Sequence, residues 1–148
     1  MKNDWFDALV ALLDAKARFL VVGAHAMAVH GVPRGTQDLD LWVDPIPENV
    51  ERVWRALTTF GAPLGSLGIS PVDLSRPGMV IQLGLPPNRI DLLTSLSGIP
   101  DFSAAWNARV EHLVRGRLVP FLSRDHLIAN KRAVGRPKDR IDLDALEQ

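Results

Sequence analysis

Trp5, Phe6, Leu9, Val10, Leu12 and Leu13 recur at helical spacing, and Asn3 or Asp4 offers an N-cap, so the chain is expected to open with an amphipathic helix. Phe19-Leu20-Val21-Val22 is short, apolar and rich in β-branched residues, the mark of a buried strand. Gly23 closes it, and Ala24 to His30 has the small side chains of a helix packed tightly on a sheet, ended by Gly31 and Pro33. Leu39 to Val43 alternates as a second strand, with Asp40 on one face and Leu39 and Leu41 on the other. Asp44-Pro45-Ile46-Pro47-Glu48 then starts a helix through Val50, Val53, Trp54 and Leu57.

Between Gly61 and Pro77 periodicity vanishes among glycines and prolines, which predicts a surface loop and a candidate for substrate contact. Met79 to Leu85 and Arg89 to Leu93 read as a hairpin turning at Pro86-Pro87-Asn88, with Asp91 inside its second strand. Phe102 to Arg109 forms a short helix, and Glu111 to Val114 pairs with Leu118 to Leu122 around Arg115-Gly116-Arg117. Ser123 or Asp125 caps a helix through Leu127, Ile128 and Ala133, and Arg136-Pro137 restarts a last one bearing Ile141, Leu143 and Leu146.

No internal repeat or low-complexity tract interrupts this order, and 148 residues with 47% hydrophobic content suit one core. Residues 1–148 are therefore expected to form a single α/β domain. Lys plus Arg equals Asp plus Glu at 17 each, so a nucleic-acid partner would need a local patch. The absence of cysteine excludes disulfides, thiolate metal sites and cysteine nucleophiles. No apolar run approaches the ~20 residues of a membrane span, and the first residues lack a signal-peptide core, so a cytoplasmic location is expected, with no membrane partner.

The chemistry concentrates in Asp38-Leu39-Asp40. Carboxylates two apart on a strand share a face and can grip hard cations from one side. An isolated Asp-x-Asp is more often a solvated or capping pair, so further residues must support it. Asp91 is one, since a carboxylate between Ile90 and Leu92 in an apolar strand is costly without a cation or strong donor. The strand, Gly23 and close-packed helix just upstream are another, because backbone N–H groups there can face a phosphate. Three converging carboxylates can hold two divalent ions about 3.5 to 4 Å apart for phosphoryl transfer.

The run from Val22 to Val43, with Gly23-Ala24, His30-Gly31, Arg34, Thr36, Asp38 and Asp40, resembles the signature of the DNA polymerase beta-like nucleotidyltransferase superfamily. Within it the chain is most similar to small bacterial proteins related to AbiE-type toxin nucleotidyltransferases. Their late motif is matched by Lys131 and then Arg136-Pro137-Lys138-Asp139-Arg140-Ile141-Asp142-Leu143. Two motifs separated by most of the chain are harder to obtain by chance than one. The resemblance spans residues 19 to 143. It implies a nucleotidyltransferase fold of the α/β (α+β) class, one mixed β-sheet flanked by helices.

The resemblance also implies roles. Asp38, Asp40 and Asp91 would bind Mg²⁺ or Mn²⁺, and Asp91 would take the proton of an attacking hydroxyl. Gly23, Ala24, Arg34 and Thr36 would hold the NTP, and Lys131 would neutralise phosphate charge. The family turn commonly has serine or a second glycine where this chain has Ala24, which keeps the backbone donor and loses a hydroxyl. For Thr36 the alternative is a loop-capping hydroxyl, and for Lys131 a solvated helix lysine. The charges from Arg136 to Asp144 read as an exposed, charge-laced helix, with Asp139 able to anchor Arg34 or Lys131. His25 and His30 are five apart and do not make a zinc pair; a structural or orienting role falls to His30. Trp5, Trp42, Trp54 and Trp106 read as packing residues, Trp42 being the one nearest the carboxylates.

The expected reaction is nucleotidyl transfer from an NTP to a hydroxyl on tRNA, protein or a small molecule, within a toxin–antitoxin pair with an antitoxin partner. A catalytically silent nucleotide-binding or interaction module on the same fold is the alternative, with Ala24 as its support. A glycosyltransferase also uses Asp-x-Asp, but it normally needs a larger nucleotide-binding domain.

Overall fold

The structure is a computed structural model describing residues 1–148. The elements are α1 (Asn3–Asp14), β1 (Phe19–Val22), α2 (Gly23–Val29), β2 (Asp38–Val43), α3 (Pro47–Phe60), β3 (Val80–Leu83) and β4 (Arg89–Leu93), then α4 (Phe102–Asn107), β5 (Val110–Val114), β6 (Arg117–Phe121), α5 (Arg124–Val134) and α6 (Pro137–Leu146). One mixed sheet contains all six strands in the order β3-β4-β2-β1-β6-β5. The continuous apolar run of β1 is explained by its place: all four residues are buried between β2, antiparallel, and β6, parallel.

Alternation sorts the remaining strands. In β2, Leu39 and Leu41 are fully buried, while Asp38 and Asp40 face the other way and stay partly open. The parallel register of β2 with β4 sets Asp38 opposite Arg89 and Asp40 opposite Asp91. Since residues paired across a ladder share a face, one side of the sheet collects the charges and the other collects Leu39, Leu41, Ile90 and Leu92. α1 and α3 pack together over the apolar side, and α5 and α6 pack together beside the charged one.

Several local expectations hold. Ser123 caps α5 by accepting from the His126 backbone N–H at 3.2 Å, and Pro47 and Pro137 stand in the first turns of α3 and α6. The β5–β6 turn places Arg115 and Gly116 both at positive φ, as a two-residue hairpin requires. Others are corrected. The first helix starts from Lys2 with no side-chain cap, so neither Asn3 nor Asp4 has that role. The Gly61–Pro77 segment is the expected surface loop, most of its residues being exposed, but it also contains a 3-10 turn (Pro71–Ser75) packed on α3, with Leu64 and Leu74 buried. Those two side chains, spaced without helical or strand period, anchor it to the core; Gly78 to Val80, just beyond, reach the charged cavity instead.

A candidate metal and nucleotide site

β2 delivers Asp38 and Asp40, and β4 delivers Asp91, onto one sheet face. Each carboxylate offers an oxygen such that all three lie within 4.8 Å of one another. Asp91 is 7% exposed, so its charge must be compensated locally. The compensation is Arg89, whose Nε donates to Asp91 Oδ1 at 2.9 Å and whose Nη2 donates to Asp91 Oδ2 at 3.1 Å and Asp38 Oδ2 at 2.7 Å. Asp40 receives no such bond. Burial pushes its carboxyl up to about 7, reinforced by repulsion from Asp38 and Asp91 and only partly opposed by Arg89.

Gly23 explains how Asp40 fits. Gly23 has φ +66°, and a Cβ there would overlap Asp40 Oδ2 and lie 3.1 Å from its Cγ. The glycine therefore admits the carboxylate against the start of α2, with Gly23 and Ala24 lining the same cavity. Thr36 is engaged with Asp38: its hydroxyl lies 2.9 Å from the Asp38 carbonyl and 3.0 Å from Oδ1, and the Asp38 N–H donates to Oγ1 at 3.2 Å. Such a bonded turn is the loop-capping geometry, and it steadies the first aspartate at the strand entrance.

The opposite wall carries cations. Lys131 of α5 places Nζ 3.0 Å from Asp142 and 3.4 Å from Asp139, with its side chain 12% exposed, so it is not a solvated helix lysine. Arg34 donates through Nε to Asp142 at 3.0 Å and makes a second bond to the same oxygen through Nη2. Asp139 is fully buried and accepts from Arg136 Nε at 2.7 Å and from the Arg136 backbone at 3.1 Å. Those bonds hold its carboxyl down to about 2. The reading of α6 as an exposed, charge-laced helix is thus overturned for Asp139 and Asp142, which are buried along with Leu146, while Arg140, Ile141 and Asp144 stay outside. Asp139 does anchor Lys131, but Arg34 goes to Asp142.

Triad and cations enclose an open cavity of about 810 Å³, completed by Ala24 and Met27 on one side and by Met79, Val80, Ser95 and Ser97 on another. The donor set is oxygen only, on two rigid neighbouring strands, with one carboxylate lacking a counter-ion; this fits a hard divalent cation such as Mg²⁺ or Mn²⁺. Cations on the facing wall fit phosphate oxygens. His30, assigned an orienting role, donates from Nε2 to the Leu122 carbonyl at 2.8 Å and so ties α2 to the end of β6. His25 packs edge-on against Trp5, and burial lowers its pKa. Trp42 is buried edge-on against Phe102 and belongs to the core.

Two site residues were missed from the sequence. Arg89 stands two before Asp91 on a strand, a spacing that puts both on one face, and that was the available signal. Asp142 lies three after Asp139 and four before Leu146, which places all three along one helix face.

The six-stranded mixed sheet with its flanking helices is a nucleotidyltransferase-like fold. The chain is similar in structure to a provisionally assigned nucleotidyltransferase of Thermotoga maritima, with a TM-score of 0.63 over 98% of this chain and 93% of that one. Identity is 15%, so the likeness establishes the fold alone. No protein-family profile and no curated protein matches the chain.

Proposed function

We propose that the protein transfers a nucleoside monophosphate from an NTP to a hydroxyl acceptor, using Asp38, Asp40 and Asp91 as ligands for Mg²⁺ or Mn²⁺. The observation that carries this reading is the parallel register that sets Asp40 directly opposite Asp91 with Asp38 two residues away on the same face. When bound, divalent ions there would lower the charge on the attacking and leaving oxygens. Lys131 and Arg34, fixed by Asp142, line the wall that would receive the triphosphate. Gly23 and Ala24 line the same cavity at the start of α2. Asp91 accepts the acceptor proton as the oxygen bonds to the α-phosphorus; the bond from that phosphorus to the β-bridging oxygen breaks, and pyrophosphate departs.

Membership of the AbiE-type branch, a place in a toxin–antitoxin pair with an antitoxin partner, and a tRNA, protein or small-molecule acceptor belong to the same proposal. They rest on the late Lys131 to Leu143 motif, whose charged residues build the cation wall. Incubation with Mg²⁺, α-labelled NTPs and separate tRNA and protein pools tests it. Label should move to one pool and be lost by more than about 100-fold in Asp40→Asn, which keeps the shape and removes the charge. Absent transfer together with no measurable NTP binding would make this a silent module.

A further inference from the structure

The cavity that holds the charged residues also takes in three exposed apolar side chains: Val80 at 53%, Ile141 at 64% and Val134 at 38%. Single exposed aliphatic groups are ordinary on a protein surface, but three that converge on one cavity call for an occupant. They interleave with the residues to which metal and phosphate are assigned. Val80 of β3 stands opposite Leu93 in the antiparallel ladder, and Leu93 is two residues beyond Asp91 on the same strand face. Two residues along a strand span about 6.6 Å, comparable to the length of a ribose. Val134 lies three residues after Lys131 on α5, and Ile141 directly precedes Asp142 on α6.

We infer that Val80, Val134 and Ile141 form an apolar subsite for the base of the nucleotide, one that favours a purine and barely distinguishes adenine from guanine. The inference rests on the nucleotidyl-transfer reading above and adds to it the class of NTP. Two of the uncharged polar side chains lining the cavity are already engaged: Ser95 Oγ accepts from the Gly78 N–H at 2.8 Å, and Asn130 Nδ2 donates to the Ser97 carbonyl at 2.9 Å. What remains for a ring is chiefly aliphatic surface, supplied by β3 and by the α5–α6 pair. Contact of this kind scales with buried area, so two-ring purines gain more than single-ring pyrimidines. A strong choice between adenine and guanine would instead need dedicated hydrogen-bonding groups on the base edge.

Calorimetric titration in Mg²⁺ tests this with the α,β-methylene analogues of ATP, GTP, CTP and UTP, and with inorganic tripolyphosphate as the probe that lacks a base. The proteins are the natural chain, Val80→Ser and Ile141→Ser; both positions are exposed, so both variants should fold, which circular dichroism checks. In the natural protein the ATP and GTP analogues should bind within about threefold of each other, and about tenfold more tightly than the pyrimidine analogues or tripolyphosphate. Each substitution should weaken the purine analogues about five- to tenfold and leave tripolyphosphate affinity unchanged. Unchanged purine affinity in both variants, or a preference of more than about 100-fold between the ATP and GTP analogues, would overturn the inference. An equal loss for tripolyphosphate would do the same, since the damage would then lie in the phosphate site. Lost self-association with nucleotide affinity intact would instead give the three side chains to a second copy of the chain. Failure of the natural protein to bind any probe, tripolyphosphate included, would overturn the nucleotidyl-transfer reading itself.

Discussion

A methyl group at position 23 would collide with the Asp40 carboxylate, and φ +66° is a conformation that side chains resist, so Gly23 and Asp40 form a unit in which one residue exists to accommodate the other. Gly23→Ala should lower stability by about 1–3 kcal/mol, the usual cost of a strained backbone position, and should also push Asp40 out of line with Asp91. Chemical denaturation measures the first effect and Mn²⁺ titration the second. A variant that is less stable yet binds Mn²⁺ normally would show that the close approach does not set the ligand geometry. At this scale the late motif also takes on a physical meaning. Asp142 holds Lys131 and Arg34 from below, so two cations distant in sequence present themselves together because they share a carboxylate.

Lys131 reaches the cavity because α5 is seated correctly, and the seat is the tight turn at Leu96 to Ile99. Gly98, at φ +82°, lies so close to α5 that a Cβ would come within 2.7 Å of the Ala129 carbonyl and 2.8 Å of Ala133 Cβ. Asn130 reinforces the seat by donating from Nδ2 to the Ser97 carbonyl at 2.9 Å. Gly98→Ala should therefore displace the helix, lowering the melting temperature and weakening NTP binding several-fold while leaving Mn²⁺ affinity of the triad unchanged, since β2 and β4 do not depend on this contact. Parallel nucleotide and Mn²⁺ titrations decide it; equal losses in both would mean the turn supports the whole sheet. The elements themselves were largely legible, because β1, β2 and the β3–β4 hairpin carry strong period-two or continuous apolar patterns. The Gly61–Pro77 surface loop was legible too, but its 3-10 turn was not, because two non-periodic leucines anchor the loop and no local pattern announces which surface they will meet.

For the whole molecule, the charge held on the acidic face links folding, pH and metal. Asp40 keeps its proton to about pH 7 when folded, against 3.8 for the free group, so between those values the folded state binds more protons and stability from this group falls as pH rises. Asp139 works oppositely, held down to about 2, so its contribution is present above 3.8 and lost on further acidification. Asp40→Asn, tested without metal, should thus be more stable than the natural protein by an amount that grows from about pH 4 to 7 and then levels, and excess Mg²⁺ should close the gap. Melting curves across that range measure it, and a difference independent of pH would refute the linkage. By itself the sequence determined the order of elements, the acidic strand pair and the presence of a third buried carboxylate, because these follow from local periodicity and from the cost of an uncompensated charge in an apolar strand. Tertiary structure alone decided that β2 and β4 are parallel neighbours in a register matching Asp40 to Asp91, that Arg89 fills the space between the outer carboxylates, and that Asp142 carries both Arg34 and Lys131. Those are pairings between residues as far as 108 positions apart, set by sheet order and helix packing, and no local pattern encodes which distant partner a charge will meet.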